Sequence, residues 1–217
     1  MAFAFAWRPP RKIASEKLQQ RGEIMHDFAM GTFLYFAYGS NMLTQRLAAP
    51  NRCPSAKPVG LAYAPNHTLE FSKESRDASG KATLIKSEGA KQFGVLFAID
   101  DGEQGALDRA EGLGNGYERN DKFSVIRADD GRETVAVTYL ASRPKPDLKP
   151  YDWYLALVVA GALQHRLPQA RIQQLRSVPY DDLDRNQHAR DGRQDASTAL
   201  RAAKFDSLTD VLSEAEA

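Results

Sequence analysis

Apolar and aromatic residues fill every position from Phe33 to Tyr38 and then stop at Gly39-Ser40-Asn41. Such a run predicts a buried strand. Met42, Leu43, Arg46 and Leu47 follow at helical spacing, with Ser40 or Asn41 as the expected N-cap. Shorter apolar runs predict strands over residues 57–63, 68–71, 82–85 and 92–99, and the polar loop 72–81 between the middle two is expected to carry no special chemistry. Asp101 opens a helix through Leu107 and Ala110, which Gly112, Gly114 and Gly116 break. Residues 117–127 and 133–140 read as a β-pair around Asp129-Asp130-Gly131, a hairpin-turn composition. Past Pro144, Pro146 and Pro150, residues 151–166 form a strongly apolar helix and 168–176 a second, short one. Antiparallel-looking strands with inserted helices predict an α+β domain around a curled sheet or barrel.

Composition changes the picture at the two ends. Residues 1–30 place an apolar run, Met1 to Trp7, ahead of the basic cluster Arg8 to Lys12, the reverse of a secretory signal. A poorly ordered extension is expected there, with Met25 and Met30 as alternative starts, ahead of a domain over residues 31–180. The tail, 181–217, is rich in Asp, Arg and Gln and is expected to hold at most a peripheral amphipathic helix over residues 196–212. The net charge of +1, with both signs interspersed, forms no basic stripe, so no nucleic-acid partner is expected. No apolar run approaches a bilayer span, so no membrane partner is expected either. A single cysteine, Cys53, excludes an internal disulfide and fits a cytoplasmic setting.

Two segments carry candidate chemistry. A strand that enters a helix through Gly39-Ser40-Asn41 aims backbone N–H groups at one point, suited to a carboxylate or an oxyanion. Glu111 stands at the C-terminal end of its helix, where the dipole opposes a carboxylate and Leu107 and Leu113 would desolvate it, an environment suited to a general base. The pattern by itself leaves open a plain turn and a solvated glutamate.

Tyr35-Phe36-Ala37-Tyr38-Gly39-Ser40-Asn41, followed by Leu107-Asp108-Arg109-Ala110-Glu111-Gly112, resembles the gamma-glutamylcyclotransferase family. Tyr117, Thr138-Tyr139-Leu140, and Tyr154 ahead of Gly161-Ala162 continue the resemblance in order, from about Phe33 to Pro179. It implies an α+β fold, a small mixed β-barrel flanked by helices. It also implies Glu111 as the catalytic acid/base and a substrate-binding turn made of Tyr35, Phe36, Ala37, Tyr38, Gly39, Ser40 and Asn41. Tyr117, Tyr139 and Tyr154 would line the pocket. The implied reaction is intramolecular aminolysis, in which the α-amino group of a γ-glutamyl compound closes on its own γ-carbonyl to give 5-oxoproline. No metal or organic cofactor is implied, the partner is a small-molecule γ-glutamyl substrate, and a homodimer is left open. A γ-glutamylamine cyclotransferase acting on γ-glutamyl-ε-lysine or a protected biosynthetic intermediate is the alternative, as is a non-catalytic binding module of the same fold. The turn from Glu111 to Tyr117 is one residue shorter than in animal members, and the tail beyond Tyr180 has no counterpart in the resemblance.

Rival constellations are weaker. Ser40 lacks the flanking glycines of a nucleophile elbow, since Tyr38 and Met42 stand in their places. Cys53 with His67 would need an activated thiol, whereas a lone cysteine is usually inert. His26, His67, His165 and His188 lack zinc spacing. Asp182 to Asn186 begins like a calcium loop, but Gln187 and Arg193 replace its glycine and glutamate. Gly112 to Gly116 follows a helix rather than a strand, unlike a dinucleotide loop.

Overall fold

The computed structural model describes residues 31–213; the readings of the first 30 residues lie outside the described residues. Five strands close into a barrel in the order β1-β3-β2-β4-β5, with β1 spanning Thr32–Ala37, β2 Lys57–Glu74, β3 Gly80–Asp100, β4 Tyr117–Arg127 and β5 Glu133–Ala141. The neighbours β2–β3, β2–β4 and β4–β5 pair antiparallel, and β1 pairs with β5 in parallel at Tyr35 opposite Val137. The fold is α+β, a small mixed barrel with helices around it.

Two of the expected strand pairs are single long strands. Residues 57–63 and 68–71 both belong to β2, and 82–85 and 92–99 both belong to β3. The interruptions are bulges: the register jumps between Pro65 and His67, Asn66 and Gly89 adopt positive φ, and the Gly89 N–H bonds to Asn66 Oδ1 at 2.9 Å. Turn-forming residues therefore bend these strands without ending them.

The helix expected after the first strand is much shorter than its pattern suggests. A 3-10 turn over Ser40–Met42 is followed by α1, Thr44–Leu47, and neither Ser40 nor Asn41 is an N-cap. A 3-10 turn over Asp101–Glu103 leads into α2, Gln104–Glu111, which ends where Gly112 takes the left-handed conformation, φ 72°. That conformation is one a side chain disfavours, and it sets Glu111 as the last helical residue.

Helix α3, Asp152–Gln164, is buried from Trp153 to Ala162. A helix apolar on all sides needs cover on all sides. It packs against the Ser40–Met42 turn, α4 (Gln169–Arg176), α5 (Gln187–Ala202) and α6 (Leu208–Leu212). Helix α5 begins well before residue 196: the Asn186 side chain caps it by accepting the Ala189 N–H at 2.9 Å. Its charged first half is held by Arg193, which bonds Asp152 at 2.8 Å and Asp184 at 2.5 Å. No helix among the described residues is long and apolar enough to cross a membrane.

Candidate active site

At one end of the barrel, the Gly39–Asn41 turn, the end of α2 and the start of β4 surround a small pocket. Tyr35, Tyr38, Gly39, Ser40, Asn41, Ala82, Glu111, Tyr117, Tyr139 and Tyr154 line it. Of the residues singled out from sequence, only Phe36 and Ala37 are absent from the lining. Phe36 stacks on Phe123, and Phe36 and Ala37 are fully buried in the core.

The half-buried Glu111 is tethered through one oxygen. The Tyr35 hydroxyl and the Asn41 amide nitrogen, the latter at 2.8 Å, both donate to Oε1. No hydrogen bond among the described residues reaches Oε2. Burial, followed by the charge of Glu111, raises the Tyr35 pKa well above its ordinary value, so its hydroxyl keeps the proton it donates.

Helix α2 is itself anchored one turn earlier. Tyr139 donates to Asp108 Oδ1 at 2.6 Å, and Arg119 pairs with Asp108 Oδ2 at 2.8 Å. Asp108 and Glu111 are three residues apart and share a helix face, so this link sets the angle at which Glu111 is presented. Spacing from Glu111 is the signal that would have found Asp108.

Two of the tyrosine walls hang on the backbone of one residue. The Ala82 N–H donates to the Tyr154 hydroxyl at 3.1 Å, and the Ala82 carbonyl accepts from Tyr117 at 2.5 Å. Tyr38 donates to the Tyr139 carbonyl. Burial raises the pKa of Tyr38, Tyr117, Tyr139 and Tyr154, so all stay neutral. Close packing fixes the turn as well. A Cβ on Gly39 would lie 3.1 Å from Ala82 Cβ, and one on Gly161 of α3 would lie 2.6 Å from Met42 Cβ and from the Leu43 nitrogen.

Beyond Ser40 and Glu111 the pocket opens into a vestibule that the sequence reading did not anticipate. Arg46, Arg52, Lys73, Ser75, Lys81 and Trp153 contribute to its walls. Three of these come from the loop region 72–81, so the expectation of no special chemistry there is corrected. Asp77 in that loop accepts Ser79 N–H at 3.0 Å and Lys81 Nζ at 2.6 Å. The Lys81 ammonium also lies over the rings of Trp153 and Tyr154, at 4.2 and 4.5 Å. Burial lowers the Lys81 pKa to about 8, against the opposing pull of Asp77.

Cys53 is buried, and burial pushes its thiol up to about 11, which leaves it protonated and a poor nucleophile. His67 instead bonds the Pro65 carbonyl in the β2 bulge at 2.7 Å.

Residues 91–175 match the model of the AIG2-like family. The chain is 30% identical over 152 residues to gamma-glutamylcyclotransferase of Mus musculus, spanning 68% of this chain and 79% of the relative. It belongs to the gamma-glutamylcyclotransferase family. The Homo sapiens gamma-glutamylcyclotransferase is 29% identical over 160 residues, 70% of this chain and 81% of its own. A solved gamma-glutamyl cyclotransferase structure aligns with a TM-score of 0.66 at 27% identity, covering 75% of this chain and 98% of that one. The chain is thus an enzyme of the cyclotransferase family, and Glu111, Tyr117, Tyr139 and Tyr154 all fall within the AIG2-like match.

Proposed function

We propose that the chain is a gamma-glutamylcyclotransferase that converts a γ-glutamyl amine to 5-oxoproline and the free amine, with Glu111 as the proton carrier. The observation that carries this reading is the Glu111 carboxylate, tied through Oε1 to Tyr35 and Asn41 and bordering the same pocket as the Gly39–Asn41 turn. The α-carboxylate of the substrate fits the N–H groups of Ser40 and Asn41, which open the 3-10 turn and lack intrahelical partners. Oε2 then takes a proton from the α-ammonium, freeing its nitrogen to attack the γ-carbonyl.

A bond forms from the α-nitrogen to the γ-carbon, and the bond from that carbon to the leaving nitrogen breaks. The nitrogen that enters as an ammonium ends as a ring N–H, and the released amine gains both protons, so one carboxyl serves as base and then acid. Positioned proton transfer of this kind contributes about 10²–10⁴-fold. The buried tyrosine walls leave little room for an extended substrate, which favours the folded conformation that brings amine and carbonyl together.

The test is product analysis. Full-length protein incubated with γ-L-glutamyl-L-alanine is expected to yield 5-oxoproline and alanine in equal amounts, and the α-N-acetylated peptide to be inert. Glu111→Gln is expected to lower kcat by about 10²-fold or more. Release of glutamate in place of 5-oxoproline, or wild-type turnover by Glu111→Gln, overturns the reading.

A further inference from the structure

The vestibule concentrates positive charge out of proportion to a chain of net charge +1. Arg46 comes from α1, Arg52 from the loop after it, Lys73 from β2 and Lys81 from β3. Lys81 is matched by Asp77, whereas among the described residues Arg46, Arg52 and Lys73 form no ion pair. Arg46 is the most telling of these. Among the described residues its Nε is buried without a hydrogen-bond partner, and burial and the nearby Arg52 disfavour its charge, outweighing the pull of Tyr154, Asp195 and Glu111.

Unbonded buried polar atoms and facing like charges both cost folding free energy. Among the described residues Glu111 is the one carboxylate in the lining, and its Oε1 is already engaged. The arrangement is therefore complementary to an anion that arrives from outside, and a cleft walled by one sign of charge draws in the opposite sign.

Geometry says which part of a substrate meets these cations. The pocket and the vestibule share Ser40, Asn41 and Glu111, so seating the glutamyl group as proposed above, between the turn and Glu111, leaves the vestibule for the leaving amine. A neutral amino acid as leaving group brings one carboxylate against three unmatched cations. A second anionic group brings the balance much closer.

We propose that the vestibule selects γ-glutamyl compounds whose leaving amine is an acidic amino acid, with Arg46, Arg52 and Lys73 as the specificity-determining residues. This rests on the ring-closing reaction proposed above and names its substrate class. The chemistry of ring closure is unchanged, because the second carboxylate is bound and takes no part in bond making.

The test compares γ-L-glutamyl-L-glutamate with γ-L-glutamyl-L-glutamine, which has nearly the same shape and lacks the side-chain charge. For the full-length protein, kcat/KM is expected to be about tenfold or more higher for the acidic peptide, through KM, as for a hydrogen bond to a charged group. Added salt is expected to narrow the ratio. Arg52→Gln and Lys73→Gln are each expected to move the ratio severalfold toward one, and Lys73→Arg to restore it. Equal kcat/KM values for wild type, or a ratio that both glutamine variants leave unmoved, overturn the proposal. Calorimetric Kd values for the two peptides on Glu111→Gln separate this failure from that of the reaction. If wild type releases no 5-oxoproline from either peptide, the ring-closing reading fails. The Kd ratio then still decides charge selection, and equal Kd values overturn it.

Discussion

Tyr35 and Asn41 meet Glu111 on a single carboxylate oxygen, and that asymmetry gives each a definite task. They hold the side chain in place and stabilise its charge while the other oxygen exchanges protons. A hydrogen bond to a charged group is worth about 1.5–3 kcal/mol, so Tyr35→Phe is expected to lower kcat/KM by roughly 10- to 100-fold. Steady-state kinetics with γ-L-glutamyl-L-alanine, together with an unchanged circular dichroism spectrum, check this. Lys81 supplies a pH signature. Its pKa of about 8 reflects burial first, then Asp77 in the opposite sense, with Arg46 and Lys73 adding repulsion. As pH rises through 8 the ammonium is lost and the vestibule becomes less positive. The ratio of kcat/KM for γ-glutamyl-glutamate over γ-glutamyl-glutamine is therefore expected to fall between pH 7 and 9, a comparison in which titration of the shared α-amine cancels. At this scale Gly39, Ser40, Asn41 and Glu111 were readable because they stand at abrupt breaks in an apolar pattern, whereas Tyr117, Tyr139 and Tyr154 were reached through the family resemblance. The vestibule cations were not, because Arg46, Arg52, Lys73 and Lys81 are scattered through the sequence and only the barrel closure brings them together.

Element order follows closely from hydrophobic patterning. The hairpin of β4 and β5, the end of α2 at Gly112 and the buried helix α3 lie within a few residues of expectation. Local breaks misled in both directions. The gaps at 64–67 and 86–91 separate expected strands, yet in the structure they bend β2 and β3 through bulges. The helical spacing of Met42, Leu43 and Leu47 suggested a longer helix, but those side chains are buried and tertiary packing decides their local geometry. Contact between elements is also close where the Ser40–Met42 turn crosses α3 at Gly161, and the atoms in the way include backbone. Gly161→Ala forces the two apart and is expected to destabilise the protein by about 1–3 kcal/mol, as overpacking does. Urea unfolding measures that loss, and a larger fall in kcat/KM than in folded fraction would show that the turn has moved.

In the molecule as a whole, the helices beyond Tyr180 are structural partners of the barrel end that holds the pocket. Ala189, Ala196, Leu200 and Val211 are buried in the same apolar core as α3. Gly192 lies so close to the Trp153 ring that a Cβ there would come within 2.6 Å of it, and Trp153 in turn walls the vestibule. Arg193 ties this layer down by pairing with the largely buried Asp152 and Asp184. Arg193→Met leaves both carboxylates unmatched. Allowing for the partial exposure of Arg193, a loss of roughly 1–3 kcal/mol is expected. Such a loss would lower Tm by about 2–4 °C per kcal/mol in a chain of this size. Differential scanning calorimetry checks this, and Asp152→Asn combined with Arg193→Met is expected to recover part of the loss.

Ala82 offers a last consequence. The peptide groups on either side of one small residue hold Tyr154 and Tyr117. Exchanging the methyl group for another side chain leaves both of those bonds intact, so a scan of single substitutions would rank position 82 by steric crowding alone and miss its part in shaping the cavity. Exposing that part takes an amide-to-ester replacement at the 81–82 linkage, which deletes the N–H while keeping every side chain.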